Sequence, residues 1–219
     1  MIQSSTFLFL KEVAENNNRE WFADNKTKYT AAQADAQGFA EALLTKMKLE
    51  DPTLEGQDAK KCLMRIYRDV RFSKNKEPYK TNFGIGFSID GKNGSKAGYY
   101  VHIAEGESFV AGGMWQPLPD QLQKIRQEID YNGVEFAKIM NSKAFAAAQL
   151  ELNMLPTLKN PPKGYTSAHP MLMYLKLTSF TASAMMTQSN LSSASSTALV
   201  LKKLTALQPF INFINRAVT

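Results

Sequence analysis

The chain predicts an α+β domain in which an antiparallel four-stranded meander, over about residues 61–114, packs against N-terminal and C-terminal helices. Three observations carry this reading. Apolar residues recur at three- and four-residue steps before Lys61, at two-residue steps from Cys62 to Met114, and at helical steps again toward the C-terminus. Glycine-bearing turns separate the alternating stretches, as consecutive hairpins require. The composition, 44% hydrophobic and 21% charged over 219 residues, supplies a core, and nothing marks a boundary, so residues 1–219 read as a single domain.

The elements follow in order. Thr6 caps a short helix with Phe7, Leu10 and Ala14 inward, and Asn18 caps a long one whose stripe is Tyr29, Ala32, Ala36, Phe39, Leu43 and Met47. Asp51-Pro52 ends it. Cys62, Met64 and Ile66 then alternate with Leu63, Arg65 and Tyr67. Phe83, Ile85, Phe87 and Ile89 alternate with Gly84, Gly86 and Ser88, and Gly91-Lys92-Asn93-Gly94 makes a turn. Tyr99, Val101 and Ile103 form the third strand, and Glu105-Gly106-Glu107 turns the chain into the fourth, Ser108 to Met114. Helices are expected from Pro119-Asp120, with Leu122, Ile125 and Ile129 inward, and over Val134–Met140. A Pro/Gly-rich loop runs from Pro156 to Pro170, and a short apolar element follows. The Ser/Thr-rich stretch 178–197 reads as locally low in complexity and mobile. The last helix carries Val200, Leu204, Leu207, Ile211, Ile214 and Val218 on one face, with a kink at Pro209.

Several function classes fail on counting. The longest apolar runs are far short of the roughly 20 residues a membrane span needs, and no signal segment is evident, so cytoplasm is the expected compartment and no membrane partner is expected. Cys62, His102 and His169 are the only Cys and His residues, too few for a structural zinc site, and no metal or cofactor is expected. No phosphate-loop, dinucleotide-binding or nucleophile-elbow motif is present. Glu105 and Glu107 flank a tight turn and do not form a glycosidase pair.

The charge is unevenly spread. Of the net +6, residues 61–80 carry +5 and the stretch from Leu152 onward carries +6, with no acidic residue; the remainder is mildly acidic. Such segregation predicts a positive face that attracts anions. The dense constellation is Arg65, Arg68, Asp69 and Arg71, followed by Lys76, Tyr79 and Lys80. Guanidinium forks hold phosphate or carboxylate through paired hydrogen bonds, and Asp69 would orient them. The same residues also fit an arginine–aspartate network that clamps a loop. If the strand runs on past Tyr67, then Arg65, Tyr67, Asp69, Arg71 and Ser73 share a face.

These residues, with Asn17-Asn18-Arg19-Glu20-Trp21-Phe22, Arg65 through Ser73, Pro78-Tyr79-Lys80-Thr81-Asn82, Gly98 through His102, Gly112-Gly113-Met114-Trp115, and Pro162-Lys163-Gly164 through His169-Pro170, give the chain a resemblance over nearly its full length to the family known as domain of unknown function 2461. The resemblance implies no particular activity, substrate or cofactor. After Phe180, where the family usually has an acidic residue, this chain has only Ser, Thr, Ala, Met, Gln and Asn. Within the matching segments, His102, His169 and Asp69 are candidates for proton transfer. Tyr100, Gly112, Gly113, Trp115 and Lys163 join the arginines and lysines as candidate ligand-binding residues, the glycines permitting close backbone approach and Trp115 offering a stacking surface. The loop Lys163–His169 is expected near the Arg65–Lys80 segment. The leading expectation is a module that binds a phosphate-bearing small molecule or nucleotide, with or without turnover. Sequence-independent nucleic-acid binding and protein–protein interaction through a basic strip are the alternatives.

Overall fold

In the computed structural model, which describes residues 1–91 and 94–219, the alternating stretches form a five-stranded antiparallel sheet with helices on one face. Helices α1 (Ser4–Glu15), α2 (Arg19–Asp24) and α3 (Lys26–Glu50) come first, then a 3-10 turn at Pro52–Leu54 and a helical turn α4 (Ala59–Cys62). Strands β1 (Asn82–Phe87), β2 (Gly98–Ala104) and β3 (Phe109–Met114) form the meander. Helices α5 (Pro119–Tyr131), α6 (Gly133–Met140) and α7 (Lys143–Ala147) lead to the short strand β4 (Glu151–Leu152), the helical turn α8 (Leu172–Leu175) and strand β5 (Phe180–Met185). Helix α9 (Gln188–Ser192) and the long α10 (Ser196–Ala217) complete the chain. The strand order is β1-β2-β3-β5-β4.

The period-two pattern divides the sheet into two faces. Phe83, Ile85, Phe87, Tyr99, Val101, Ile103, Val110 and Ala182 are buried toward α1, α3 and α10. The α3 stripe anticipated from the sequence is buried along its whole length, as are Val200, Leu204, Leu207, Ile211 and Ile214 of α10, which continues through Pro209. Gly112 is what lets α10 lie on β3: a Cβ there would stand 3.0 Å from Ile211 Cδ1 and 3.1 Å from Leu207 Cδ1. The opposite face, with Gly84, Gly86, Tyr100, His102, Phe109, Ala111, Gly113, Thr181 and Ser183, has no helix packed on it among the described elements.

Four expectations need correction. The sheet has five strands, and its members differ from the four expected. Residues 62–67 contribute only isolated bridges, Leu63 to Ile85 and Tyr67 to Tyr79. Asp58 caps α4 and draws Ala59–Cys62 into a helical turn, and the segment then changes partners, from the Gly84 carbonyl at Met64 to residues 78–80 at Ile66 and Arg68. Second, the Ser/Thr-rich stretch contains β5, an interior strand fully paired with β3, and α9. Third, Thr6 lies inside α1 rather than capping it and donates from Oγ1 to Asp35 at 2.6 Å, and Ala14 is exposed. Fourth, Asn18 caps the short α2, and a break at Asn25 separates it from α3. Of the expected Gly91–Gly94 turn, Lys92 and Asn93 lie outside the described residues. No helix of the described residues is long and apolar enough to cross a membrane.

One buried polar contact joins the layers. The Tyr99 hydroxyl donates to Asp51 Oδ2 at 2.7 Å, where Asp51 ends α3 and caps the following 3-10 turn through Thr53. Burial, reinforced by the Asp51 carboxylate, pushes the tyrosine hydroxyl far above its ordinary range, so it remains a donor. Tyr99→Phe leaves a carboxylate that is 4% exposed short of one partner. The substitution should lower stability in urea by about 1–3 kcal/mol, while Tyr131→Phe, at an exposed ring, should leave the midpoint unchanged.

Candidate functional site

The bare face of the sheet carries a groove of about 540 Å³. Its floor is backbone and small side chains, at Gly86, Gly98, Ala111 and Gly113, and its walls are Tyr100, Phe109, Trp115 and Met64. Glycine is enforced here. A Cβ at Gly98 would stand 2.4 Å from the Phe87 carbonyl, and Gly113, at φ +124°, would bring one 2.1 Å from the Phe180 carbonyl. Trp115 follows β3 directly and is 64% exposed, while Gln116 behind it takes φ +48° and donates its N–H to Ser179 Oγ. The polar side of the groove is Asn153 with Thr181. Asn153 Nδ2 donates to Thr181 Oγ1 at 2.9 Å, and Ser183 Oγ donates to Asn153 Oδ1 at 3.0 Å. At the other end, Ser88, Gly91, Gly94 and Lys96 belong to the β1–β2 connection. Asp90 organises this connection by accepting from Ser88 Oγ and from the N–H groups of Ser95 and Lys96. Burial works to raise the Asp90 carboxyl, but these donors outweigh it and hold the carboxyl below its ordinary range.

Beyond the groove, Tyr100 Oη lies 3.0 Å from His102 Nδ1, and the imidazole stacks on Phe109 at 4.6 Å and 11°. Gly84 makes this possible: a Cβ there would meet the Tyr100 hydroxyl at 2.7 Å. Burial lowers the His102 pKa, with the nearby Lys80 adding to the effect and Glu107 opposing it. Burial also raises Tyr100. The neutral imidazole is therefore favoured, and its Nδ1 shares one hydrogen bond with the tyrosine hydroxyl.

Of the sequence candidates, Tyr100, Gly112, Gly113 and Trp115 come together at the groove, with His102 beside Tyr100 and Lys80 close enough to act on His102. The arginines do not line it. Arg71 binds Asp69 through two hydrogen bonds, Nε to Oδ1 at 3.0 Å and Nη2 to Oδ2 at 2.7 Å, which lowers the carboxyl. Arg68 reaches Glu77 at 3.4 Å, and Lys76 donates to the Val70 carbonyl. The constellation is thus a braced loop, and the strand does not continue past Tyr67 to place Arg65, Asp69 and Arg71 on one face. Tyr79 is buried, stacked on Phe22 at 3.8 Å, with its backbone gripped at both ends by the Asn17 amide.

Lys163 and His169 do not converge on that loop. Residues 157–158 pair with 176–177 beside β4, whereas residues 63–64 pair with β1 at the opposite edge of the sheet. Four strand spacings separate these edges, on the order of 19 Å. His169 is drawn to α5 instead: Nε2 lies 2.9 Å from Asp130 Oδ1, and Nδ1 accepts from the Met171 N–H, so both ring nitrogens are engaged. Lys163 is exposed. Met64, Asn153 and Thr181 were missed by sequence reasoning. In the sequence Met64 reads only as a strand residue, and the other two become neighbours of the glycine-rich strands only through the β3–β5 pairing.

The His102 environment predicts a pH effect. Its folded pKa is depressed, so between that value and the unfolded value near 6.5 the unfolded chain binds more protons. Stability therefore falls as pH drops below about 6.5. NMR titration should give a His102 midpoint below this value, and His102→Gln should reduce the loss of stability between pH 7.5 and 5.5 relative to the parent.

No curated protein and no solved structure matches the chain. The family model described as "Conserved hypothetical protein (DUF2461)" matches residues 5–213, spanning both the groove and the braced arginine loop. The chain belongs to this family.

Proposed function

We propose that the protein is a binding module for a small molecule with a flat ring, of the nucleoside or nucleotide kind, seated in the groove on the bare face of the sheet. The observation that carries this reading is the combination of a glycine floor with the Tyr100, Phe109 and Trp115 rings. A floor of three glycines and one alanine lets a planar group lie close to the backbone, and the aromatic walls supply stacking. Asn153 and Thr181 offer donor and acceptor groups at one side, suited to the edge of a heterocycle or to a sugar hydroxyl. Lys96, whose Nζ donates to Thr219 Oγ1, is the cation of the described lining and the group nearest to hand for a phosphate. The neutral Tyr100–His102 pair adjoins the wall and gives the site a route for a proton.

Trp115 is also the reporter. The other tryptophan, Trp21, packs against the core next to Phe9, so it forms a steady background. Titration with nucleosides, nucleotides and sugar phosphates should quench Trp115 emission and raise Tm for at least one of them. Asn153→Ala should weaken that binding about tenfold, consistent with one lost hydrogen bond. Ala111→Phe, which fills the floor, should abolish it. Absence of any response across the set, or quenching that survives Ala111→Phe, would overturn the reading.

A further inference from the structure

A second site lies outside the groove. Phe72 is 95% exposed, the most exposed large apolar side chain among the described residues. It does not sit on a frayed tip. Asp69 clasps Arg71, Lys76 donates to the Val70 carbonyl, the Ser73 N–H donates to Val70, and Asn75 bonds both the N–H and the carboxylate of Glu77. These bonds fix the loop while leaving the ring in water. At the base of the loop Tyr67 is 44% exposed, and its ring rests on Tyr79 at 5.4 Å and Phe22 at 6.0 Å, which holds it in place. Arg65 and Lys74 flank these rings and form no ion pair among the described residues; Arg19 of α2 is close enough to act on Tyr79. Two aromatic rings thus stand on a stretch in which cations outnumber carboxylates and in which Arg65 and Lys74 are not tied up in ion pairs among the described residues, although Arg65 is close enough to act on Asp69.

We infer that this face, from Arg65 to Lys76, is a docking site for single-stranded nucleic acid. Exposed base faces stack on exposed rings irrespective of sequence, and the intervening phosphates require cations that are not already neutralised. A duplex hides its base faces and would use only the charges. A bilayer is the poorer match: an anchor needs several apolar tips in one plane, and here Phe72 stands between the exposed carboxylates of Asp69 and Glu77, which a membrane interface would have to desolvate. The ion pairs have a separate part, since Asp69 and Glu77 consume Arg71 and Arg68 to shape the loop and leave Arg65 and Lys74 for the ligand.

The test is fluorescence anisotropy with a labelled oligothymidylate of about 15 nucleotides, alongside a duplex of equal length and phosphatidylserine vesicles. The oligonucleotide should bind at low salt, and Phe72→Ala and Tyr67→Ala should each weaken it about fivefold or more. Arg65→Ala with Lys74→Ala should reduce the slope of log Kd against log salt by about 1.4, the release expected for two contacts on a single strand. Trp115→Ala should bind as the parent does, which separates this site from the groove. Failure to bind the single strand at low salt would overturn the inference. So would unchanged affinity in both aromatic variants, equal or tighter binding of the duplex, or capture by the vesicles alone.

Discussion

The close approach of α10 to the backbone of β3 is the contact on which the rest of the arrangement depends. A long helix laid on a sheet normally rests on side chains. At Gly112 it rests on the strand itself, with Leu207 and Ile211 filling the space a Cβ would take. This buries the apolar face of α10 against the middle of the sheet and, through α3 and α1, covers that entire face. Nothing comparable remains for the other side. The helices that follow β3 in sequence pack alongside α10 and do not cross over, so the second face keeps its glycines, rings and hydroxyls accessible. The groove is therefore a consequence of how the core is closed.

Much of the fold was legible because the determining signals are local. The α3 and α10 stripes repeat at helical spacing over many turns, and the β1–β3 meander alternates cleanly between glycine-bearing turns. The failures share one cause. Strand β5 consists of Phe180, Thr181, Ala182, Ser183, Ala184 and Met185, whose inward residues are mostly small, so its alternation carries little hydrophobic contrast. What makes it a strand is the ladder to β3, about seventy residues earlier, in which Gly113 pairs with Thr181 and Ala111 with Ser183. The segment 62–67 errs the other way. Its alternation is real, yet its backbone partners are shared between β1 and the returning residues 78–80, so no continuous ladder forms. A period-two pattern states which faces a segment can present, and pairing depends on what the tertiary structure places beside it.

The candidate site divides in the same way. Tyr100, Gly113 and Trp115 were visible because they lie in glycine- and aromatic-rich stretches of the meander itself. The expectation of a single arginine pocket was not met because side-chain charge was counted without its local partners. An Asp two residues from an Arg, in a loop, can take that Arg in a two-pronged grip, and here Asp69 does so with Arg71. The sequence contained both readings of this constellation; the backbone turn after Arg68 selects the loop clamp.

The distribution of charge shows the same principle at larger scale. From composition, the stretch after Leu152 and the segment 61–80 look like equivalent reservoirs of positive charge. In the folded chain they differ. Arg216, near the end of α10, lies between Glu128 of α5 and Glu135 of α6, with hydrogen bonds to both carboxylates; the guanidinium is held even more firmly protonated, and the Glu135 carboxyl lies below its usual range. Lys203 of α10 donates to the Ala148 carbonyl at the end of α7. Both fasten α10 to neighbouring helices, but only Arg216 does so through carboxylates, so its charge alone is offset by an ion pair. Along residues 65–77, two carboxylates meet five cations, and the surplus is held on a loop that also displays an aromatic ring. Folding therefore gathers the surplus of the first basic stretch on one loop beside an exposed ring, whereas the C-terminal cations are spread along the chain from Lys159 to Arg216.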